Sequence, residues 1–301
     1  YTVRAHIYQA RDLPSADENG SSDPYVMLRV GGHPYQMTKT KPQTRFPVWY
    51  ETLEFQGVAL PSPDDITRSL GPMMTLLVMD EDPSLLSTDR DGDFLGRVQI
   101  PSSRVNQANM PARPTWSPVF SGNSNRAQGE LLVSFQLIPS ALRLDRFPLV
   151  NLTPPMRPCT IEIVLLGVRG LINSSITKSE PRYIKLNVEG IELAEEASSH
   201  TTKKSNQPTQ ENPNFLEMIR IKAALPTDAM FLPVVNVCVM EAAFFGLAES
   251  TLATCAIDLS PYIPWDPKAR QLMELKAGMG VQDENPDAEP EPELEPVPEL
   301  E

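Results

Sequence analysis

Apolar and polar residues alternate from the start of the chain. TVRAHIYQARDL (2–13) puts Val3, Ala5 and Ile7 on one side, with Gln9 next in the series. This is the period-two pattern of a half-buried strand. YVMLRV (25–30), TLEF (52–55), MTLLVMD (74–80), LGRVQI (95–100) and GELLVSFQL (129–137) are further short apolar runs, punctuated by Gly, Pro, Asn and Asp. Several such strands within about 140 residues predict an antiparallel β-sandwich.

After a polar, proline-bearing joint the pattern restarts: CTIEIVLLGVRGL (159–171), YIKLNV (183–188), LEMIRIKAAL (216–225), VVNVCVM (234–240) and LATCAIDL (252–259). Landmarks recur in the same order. Arg11-Asp12-Leu13 has its counterpart in Arg169-Gly170-Leu171, and Asp23-Pro24-Tyr25 in Glu180-Pro181-Arg182-Tyr183. Pro47-Val48-Trp49 is matched by Pro213-Asn214-Phe215, and Val78-Met79-Asp80 by Val239-Met240-Glu241. This is a degenerate internal repeat of one fold. The expected organisation is a first domain over 1–139, a linker over 140–157, a second domain over 158–277 and a tail over 278–301. The second half has no clear counterpart of GELLVSFQL; either RQLMEL (270–275) closes it or an edge is borrowed from elsewhere.

Charge adds to this picture. The net charge is -13, but residues 277–301 carry nine acids and no base. That Pro/Glu-rich tail buries nothing and repels itself, so it is read as an extended, disordered linker. Residues 1–146 and 147–276 are each at -2, a balance that disfavours nucleic acid as a partner. Cys159, Cys238 and Cys255 lie in apolar runs without a Cys-x-x-Cys spacing and are expected to be buried free thiols. The sequence shows no signal peptide and no apolar stretch long enough to span a membrane. The first residue is Tyr rather than Met, which points to an internal piece of a longer chain.

The acids of the first half are concentrated. Asp17, Glu18 and Asp23 fall in one polar loop, and Asp80, Glu81, Asp82, Asp89, Asp91 and Asp93 in another. With those nine set aside, the first 146 residues hold 14 basic against seven acidic residues. A hard cation such as Ca²⁺ takes six to eight oxygens, and two loops meeting at one end of a sandwich can supply them. Asp80 and Asp82, two apart at a strand end, point the same way, whereas Glu81 alternates outward. Gly20 permits the turn between Asp17 and Asp23, and Pro24 holds Asp23 extended.

Leu13, Asp17, Gly20, Ser22-Asp23-Pro24-Tyr25-Val26, Pro47-x-Trp49-x-Glu51, Asp80-x-Asp82 and Asp93-Phe94-Leu95-Gly96 together resemble the C2 domain, a calcium- and lipid-binding β-sandwich. QARDL, SDPYV, DFLGR and GELLVSFQLIP narrow the resemblance to a central C2 domain of the ferlins. NPNF, the strand after it and the acidic tail are similar to the degenerate unit that follows it in that family. The resemblance implies two antiparallel eight-stranded sandwiches in tandem, the second degenerate. It also implies a calcium ion held by Asp17, Asp23, Asp80, Asp82 and Asp93. The ten residues between Asp82 and Asp93 exceed the usual family loop, so Asp89 and Asp91 are rival ligands.

Two further features bear on lipid. Leu85 and Leu86 stand at the apex of the second acidic loop and either enter a bilayer interface or fold back. Lys39, Lys41 and Arg45 alternate and partly resemble a phosphoinositide-binding element; the alternative is a solvated strand face. In the second half the acids are largely gone, and no calcium site is expected there. Phe244, Phe245 and Leu247 replace them. No G-x-S-x-G, P-loop or G-x-G-x-x-G is present, and the three histidines form no cluster, so no enzyme is expected.

The functional expectation is calcium-dependent docking on an anionic membrane (phosphatidylserine or phosphoinositide) in membrane fusion or vesicle trafficking. The site would be the cytoplasmic face of the plasma membrane or a vesicle. Other ferlin domains and fusion-machinery proteins are the further partners implied. The alternative is a structural module in which calcium only rigidifies loops.

Overall fold

A computed structural model describes residues 1–16, 20–30, 32–61, 73–81, 92–101, 105, 113–122, 126–171, 181–188, 192–193, 199–243 and 248–279. The chain forms two compact units, Tyr1–Leu259 and Ser260–Glu301. In the first half, β1 (Thr2–Arg11), β2 (Pro24–Leu28), β4 (Val48–Phe55), β5 (Met73–Asp80), β6 (Asp93–Pro101) and β8 (Ala127–Ile138) follow the expected runs, and β3 (Gln36–Met37) and β7 (Thr115–Phe120) are strands beyond them. Their hydrogen-bonded order is β3-β2-β5-β6-β7-β8-β1-β4, antiparallel throughout. Among the described residues the β6–β7 pairing is confined to Arg97 with Phe120, so the sheet turns there into the two leaves of a sandwich. Val3, Ala5, Ile7, Val26, Leu28, Leu76, Val78, Val119, Leu131 and Val133 fill the space between the leaves.

β1 is buried on both faces, which its alternation does not predict. A bulge between Ile7 and Gln9 interrupts its pairing with both β4 and β8. The inward series therefore resumes at Ala10 rather than Gln9, and the Gln9 amide donates instead to the Met230 carbonyl (3.4 Å). On the outer face, Tyr8 and Leu132 pack with Leu152 of the joint and with Met230 and Phe231 of the second half. The Tyr8 and Phe231 rings lie 5.5 Å apart. Arg4, buried on the same strand, pairs with Glu54 (2.6 Å) and donates to the Phe147 carbonyl (2.8 Å).

The second half repeats the first down to single hydrogen bonds. Val26 N donates to Thr38 Oγ1 and Thr38 N returns to the Val26 carbonyl; Ile184 and Thr202 do the same. Ala10 N donates to the Pro47 carbonyl and Leu13 N to that of Arg45; Val168 and Leu171 donate likewise to Pro213 and Glu211. Lys39 N meets the Glu51 carboxylate, and Lys203 N that of Glu217. Tyr50 and Leu216 share the same unusual φ of 53°. These matches fix the equivalences used below.

The second half has seven strands among the described residues rather than eight. β10 (Arg182–Val188), β12 (Ser199–Thr201), β14 (Val234–Ala243) and β15 (Ala248–Asp258) form one sheet in the order β12-β10-β14-β15. β9 (Met156–Gly167), β11 (Glu192–Leu193) and β13 (Asn214–Pro226) form the other, in the order β11-β13-β9. Ile184, Leu186, Val188, Val235 and Val239 are buried on the first sheet, and Ile161, Leu165, Ile221, Ala223 and Leu225 on the second. Cys255 is exposed rather than buried, on β15, which ends its sheet among the described residues; Cys159 is half-buried and Cys238 buried.

In the second unit, residues 270–275 belong to a helix, α1 (Pro267–Met279), and not to a closing strand. The local sequence explains this. Asp266 caps the helix, accepting from Lys268 N (2.8 Å), and Pro267 occupies the first helical position, where a missing N–H costs nothing. Lys, Ala, Arg, Gln, Leu, Met and Glu then supply strong helix formers. No helix among the described residues is long and apolar enough to cross a membrane.

His6 sits fully buried on β1, its Nδ1 2.9 Å from Thr52 Oγ1. Burial, with the Arg4 guanidinium nearby, lowers its pKa from 6.5 to about 4. Between those values the unfolded chain binds a proton that the folded chain refuses. Stability is therefore expected to fall as pH drops from 6.5 towards 4, by roughly 3 kcal/mol in all at 1.36 kcal/mol per pKa unit. Chemical denaturation at pH 7 and pH 4.5 checks this: His6→Asn is expected to remove a large part of the pH dependence.

Candidate functional site: the aspartate end of the first sandwich

Adjacent strands β2, β5 and β6 bring three of the predicted aspartates together. Asp80, the last residue of β5, lies opposite Pro24 on one side and Asp93 on the other. Directly paired residues of an antiparallel ladder have Cα atoms about 4.5–5.5 Å apart, so Asp23, Asp80 and Asp93 line one edge of the leaf. Asp80 is buried, Asp23 half-buried and Asp93 exposed. Asp80 Oδ1 accepts from Asp23 N (2.5 Å), and Asp23 Oδ1 accepts from Gln43 N (2.6 Å). Glu81 N donates to the Asp23 carbonyl (2.9 Å), and its side chain is exposed, as its alternation requires.

Gly92 makes the approach possible. A Cβ at that position would fall 1.7 Å from the Asp80 carbonyl oxygen. Any other residue would push the returning chain, and Asp93 with it, away from Asp80. A bulge between Val78 and Met79 further sharpens the twist at this end.

The first acidic loop is held by a residue whose role the sequence alone does not show. Ser22 is completely buried. Its hydroxyl donates to the Pro14 carbonyl (2.9 Å) and accepts from Ala16 N (3.0 Å), while its own carbonyl accepts from Thr44 N (2.8 Å). Ala16 and Gly20 (φ 81°) thus stand on either side of Asp17. Asp17, Asp82, Asp89 and Asp91 lie outside the described residues, as do Leu85 and Leu86. Among the described residues no three acidic, His or Cys side chains form a metal-binding group.

Lys39, Lys41 and Arg45 follow β3 without lying on it. Lys39 is exposed and Lys41 half-buried. Arg45 turns inward, its Nε donating to the Leu13 carbonyl (2.5 Å), so it serves the base of the first loop. A cavity of about 340 Å³ lies between this loop base and the outer face of β10-β14-β15. Arg45, Lys185, Asp12 and Glu249 line it together, a balance of charge that selects neither anion nor cation.

At the equivalent end of the second half the chemistry is different. Arg182 pairs with Glu241 in register, where Pro24 pairs with Asp80. The Arg182 Nε lies 3.6 Å from Glu241 Oε1, with both side chains buried. The guanidinium also donates to the Gln210 carbonyl. A covalently attached cation thus faces the one acid retained at this position. From sequence, Glu241 reads as a lone acid and Arg182 as a spacer before Tyr183. Phe244, Phe245 and Leu247 lie outside the described residues.

Residues 1–119 match the family described as C2 domain. Beyond that stretch, most of the chain is similar to ferlins. Myoferlin of Xenopus tropicalis is 28% identical over 285 residues, covering 89% of this chain and 14% of that protein. Fer-1-like protein 4 of Mus musculus is 27% identical over 275 residues (82% and 13%), and ferlin 1 of Toxoplasma gondii 27% identical over 272 (88% and 18%). The chain bears a C2 domain match, is similar to ferlins over most of its length, and spans less than a fifth of the length of these relatives. Among solved structures, a single C2 domain of plant extended synaptotagmin 1 matches with a TM-score of 0.36 at 16% identity, covering 46% of this chain and 94% of that one. The calcium-bound pair of C2 domains from extended synaptotagmin 2 matches with 0.34 at 18% identity, covering 86% and 84%.

Breaking a buried ion pair by removing one partner typically costs about 3–5 kcal/mol, whereas replacing both with apolar groups is often neutral. Arg182→Met is therefore expected to lower the urea midpoint strongly. Arg182→Met with Glu241→Leu is expected to recover most of the loss, as read by far-UV circular dichroism.

Proposed function

We propose that this membrane-associated C2 module docks on anionic phospholipid when calcium reaches its aspartate end. The observation that carries the reading is the register that ends β2, β5 and β6 at Asp23, Asp80 and Asp93, with Gly92 against the Asp80 carbonyl. Two carboxylates about 4 Å apart repel by roughly 4 kcal/mol at an effective dielectric near 20. A chain that collects them at a strand end, and spends a glycine to bring the next one close, gains from an arrangement that a cation relieves. The described oxygens suit a hard ion; Asp17 and Asp82, with Asp89 or Asp91, complete the proposed donor set. A calcium ion bound there supplies positive charge and open coordination positions for lipid phosphate.

The remaining steps belong to the chain. Asp23 and Asp80 hold the rim through backbone amides. With the loop acids neutralised, the basic surplus of the first half, Lys39 and Lys41 included, faces the membrane and attracts anionic headgroups. Leu85 and Leu86 then enter the interface. In the second half Arg182 takes the place of the ion, so that half acts as a calcium-independent scaffold. Other ferlin domains and fusion-machinery proteins are the proposed neighbours, and the cytoplasmic face of a plasma or vesicle membrane the proposed location. Buried contacts between the halves, through Tyr8, Leu152 and Phe231, favour a second reading in which calcium only stiffens loops of an interaction module.

Co-sedimentation with phosphatidylserine vesicles distinguishes the two. The expected result is binding in calcium and none in chelator, abolished by Asp80→Asn with Asp82→Asn. The amide oxygen introduced at position 80 can still accept from Asp23 N, so the double variant removes charge while sparing that hydrogen bond. Unchanged vesicle binding in the double variant sinks the docking reading. No vesicle binding at all, with a calcium-dependent rise in melting temperature, favours the second reading.

A further inference from the structure

The two halves share one backbone register. Val168 and Leu171 bond as Ala10 and Leu13 do, and Leu216 repeats the φ of 53° at Tyr50. Ile161 pairs with Ile221 as Val3 pairs with Phe55, and Val164 with Met218 as His6 with Thr52. The bulge between Asn214 and Glu217 matches the one between Ile7 and Gln9. On the outer face, Val164, Leu166, Leu216 and Met218 therefore occupy the positions of His6, Tyr8, Tyr50 and Thr52.

In the first half that face is covered, and the cover belongs to the second half. Leu152, Met230 and Phe231 pack against Tyr8, Tyr50, Trp116 and Leu132. The Tyr8 ring lies 5.5 Å from that of Phe231 and 6.4 Å from that of Tyr50. Met230 and Phe231 lie on a single 3-10 turn, Ala229–Phe231, in the link from β13 to β14. Asp228 caps the turn, one oxygen accepting from Met230 N (3.0 Å) and the other lying 3.5 Å from Arg113 of the first half. The occupant of this face is thus an apolar, aromatic-bearing turn led by an acid that meets a base on the receiving side.

In the second half the same four positions are apolar and open: Val164 is 58%, Leu166 65%, Leu216 73% and Met218 56% exposed. Farther along the strands the face becomes polar, with Glu162 paired to Arg220 (2.7 Å) and Thr160 opposite Lys222. At the other border Arg169 donates to Asn214 Oδ1 (2.7 Å). The patch is therefore bounded, and exposed apolar clusters rimmed by polar groups mark interaction sites. Its border carries three bases and one acid, a balance that complements an acid-led turn as Arg113 complements Asp228. Glu162, set beside the apolar residues, counts against an anionic membrane as the cover.

We propose that the outer face of β9 and β13 at Val164, Leu166, Leu216 and Met218 docks another unit of this same fold. That unit would seat its own β13–β14-type turn there, as the second half seats Met230 and Phe231 on the first. The contact already present between the halves would then be one step of a repeating, head-to-tail arrangement.

Nuclear magnetic resonance of the whole chain with labelled methionine methyls tests this, in chelator throughout. Met218 lies in the patch; Met37 and Met73, exposed in the first half, are references, and Met230 reports on the chain's own turn. The probe is a cyclic peptide carrying PTDAMFLP (226–233), and the control peptide has alanine for Met230 and Phe231. The probe is expected to shift Met218 saturably at sub-millimolar concentration and to leave Met37, Met73 and Met230 in place. The control peptide, and the surface variant Leu166→Ser with Leu216→Ser, are each expected to weaken the response by at least about tenfold. No response of Met218 to the probe, or an equal response to the control, overturns the proposal. A Met218 shift that follows chain concentration assigns the face to a second copy through the same patch and also overturns it. So does a shift produced by phosphatidylserine vesicles alone, which assigns the face to lipid. With calcium absent, none of these outcomes depends on the aspartate end.

Discussion

Much of the first sandwich's loop end hangs on one hydrogen bond, from the Asp23 amide to the buried Asp80 carboxylate. It ties the start of β2 to the end of β5 at the point where both chains leave the sheet. Because Asp80 also lies opposite Asp93, the same residue sets the distance to the returning strand. A buried carboxylate is tolerated only when its oxygens are engaged. The Asp23 amide meets that condition at Asp80 Oδ1, and so fixes the rim. Ser22 secures the neighbouring loop in a comparable way with a single hydroxyl.

The two halves show what a repeat conserves when its chemistry drifts. Local devices survive: the Thr38 and Thr202 hydrogen bonds, the positive-φ pair Tyr50 and Leu216, the bulge in β1 and its match in β9. These are set by backbone geometry within a few residues and tolerate side-chain change. The rim does not survive: it depends on partners distant in sequence, and in the second half Arg182 pairs with Glu241 where Pro24 pairs with Asp80 in the first.

The sequence made the first set legible and hid the second. Period-two alternation locates most strands, and the order of landmarks exposes the repeat. Aspartate crowding picked out Asp23, Asp80 and Asp93, which stand at neighbouring strand ends without forming a metal-binding group among the described residues. Arg182 was illegible because it lies between Pro181 and Tyr183, inside a landmark, and its partner Glu241 is 59 positions away. The helical fate of residues 270–275 was readable from Asp266, Pro267 and the helix formers after them, but the expectation of a closing strand competed with that signal. Burial of His6 and Arg4 was not readable, since a strand alternating on one face gives no sign that its other face is covered too.

The Arg182–Glu241 pair also constrains how this segment can change over generations. Loss of the arginine strands a buried carboxylate, and loss of the glutamate strands a buried guanidinium, so either single step lowers stability before anything is gained. An acid-rich rim there would need both positions to change together, so the arginine is kept in place by the cost of leaving it.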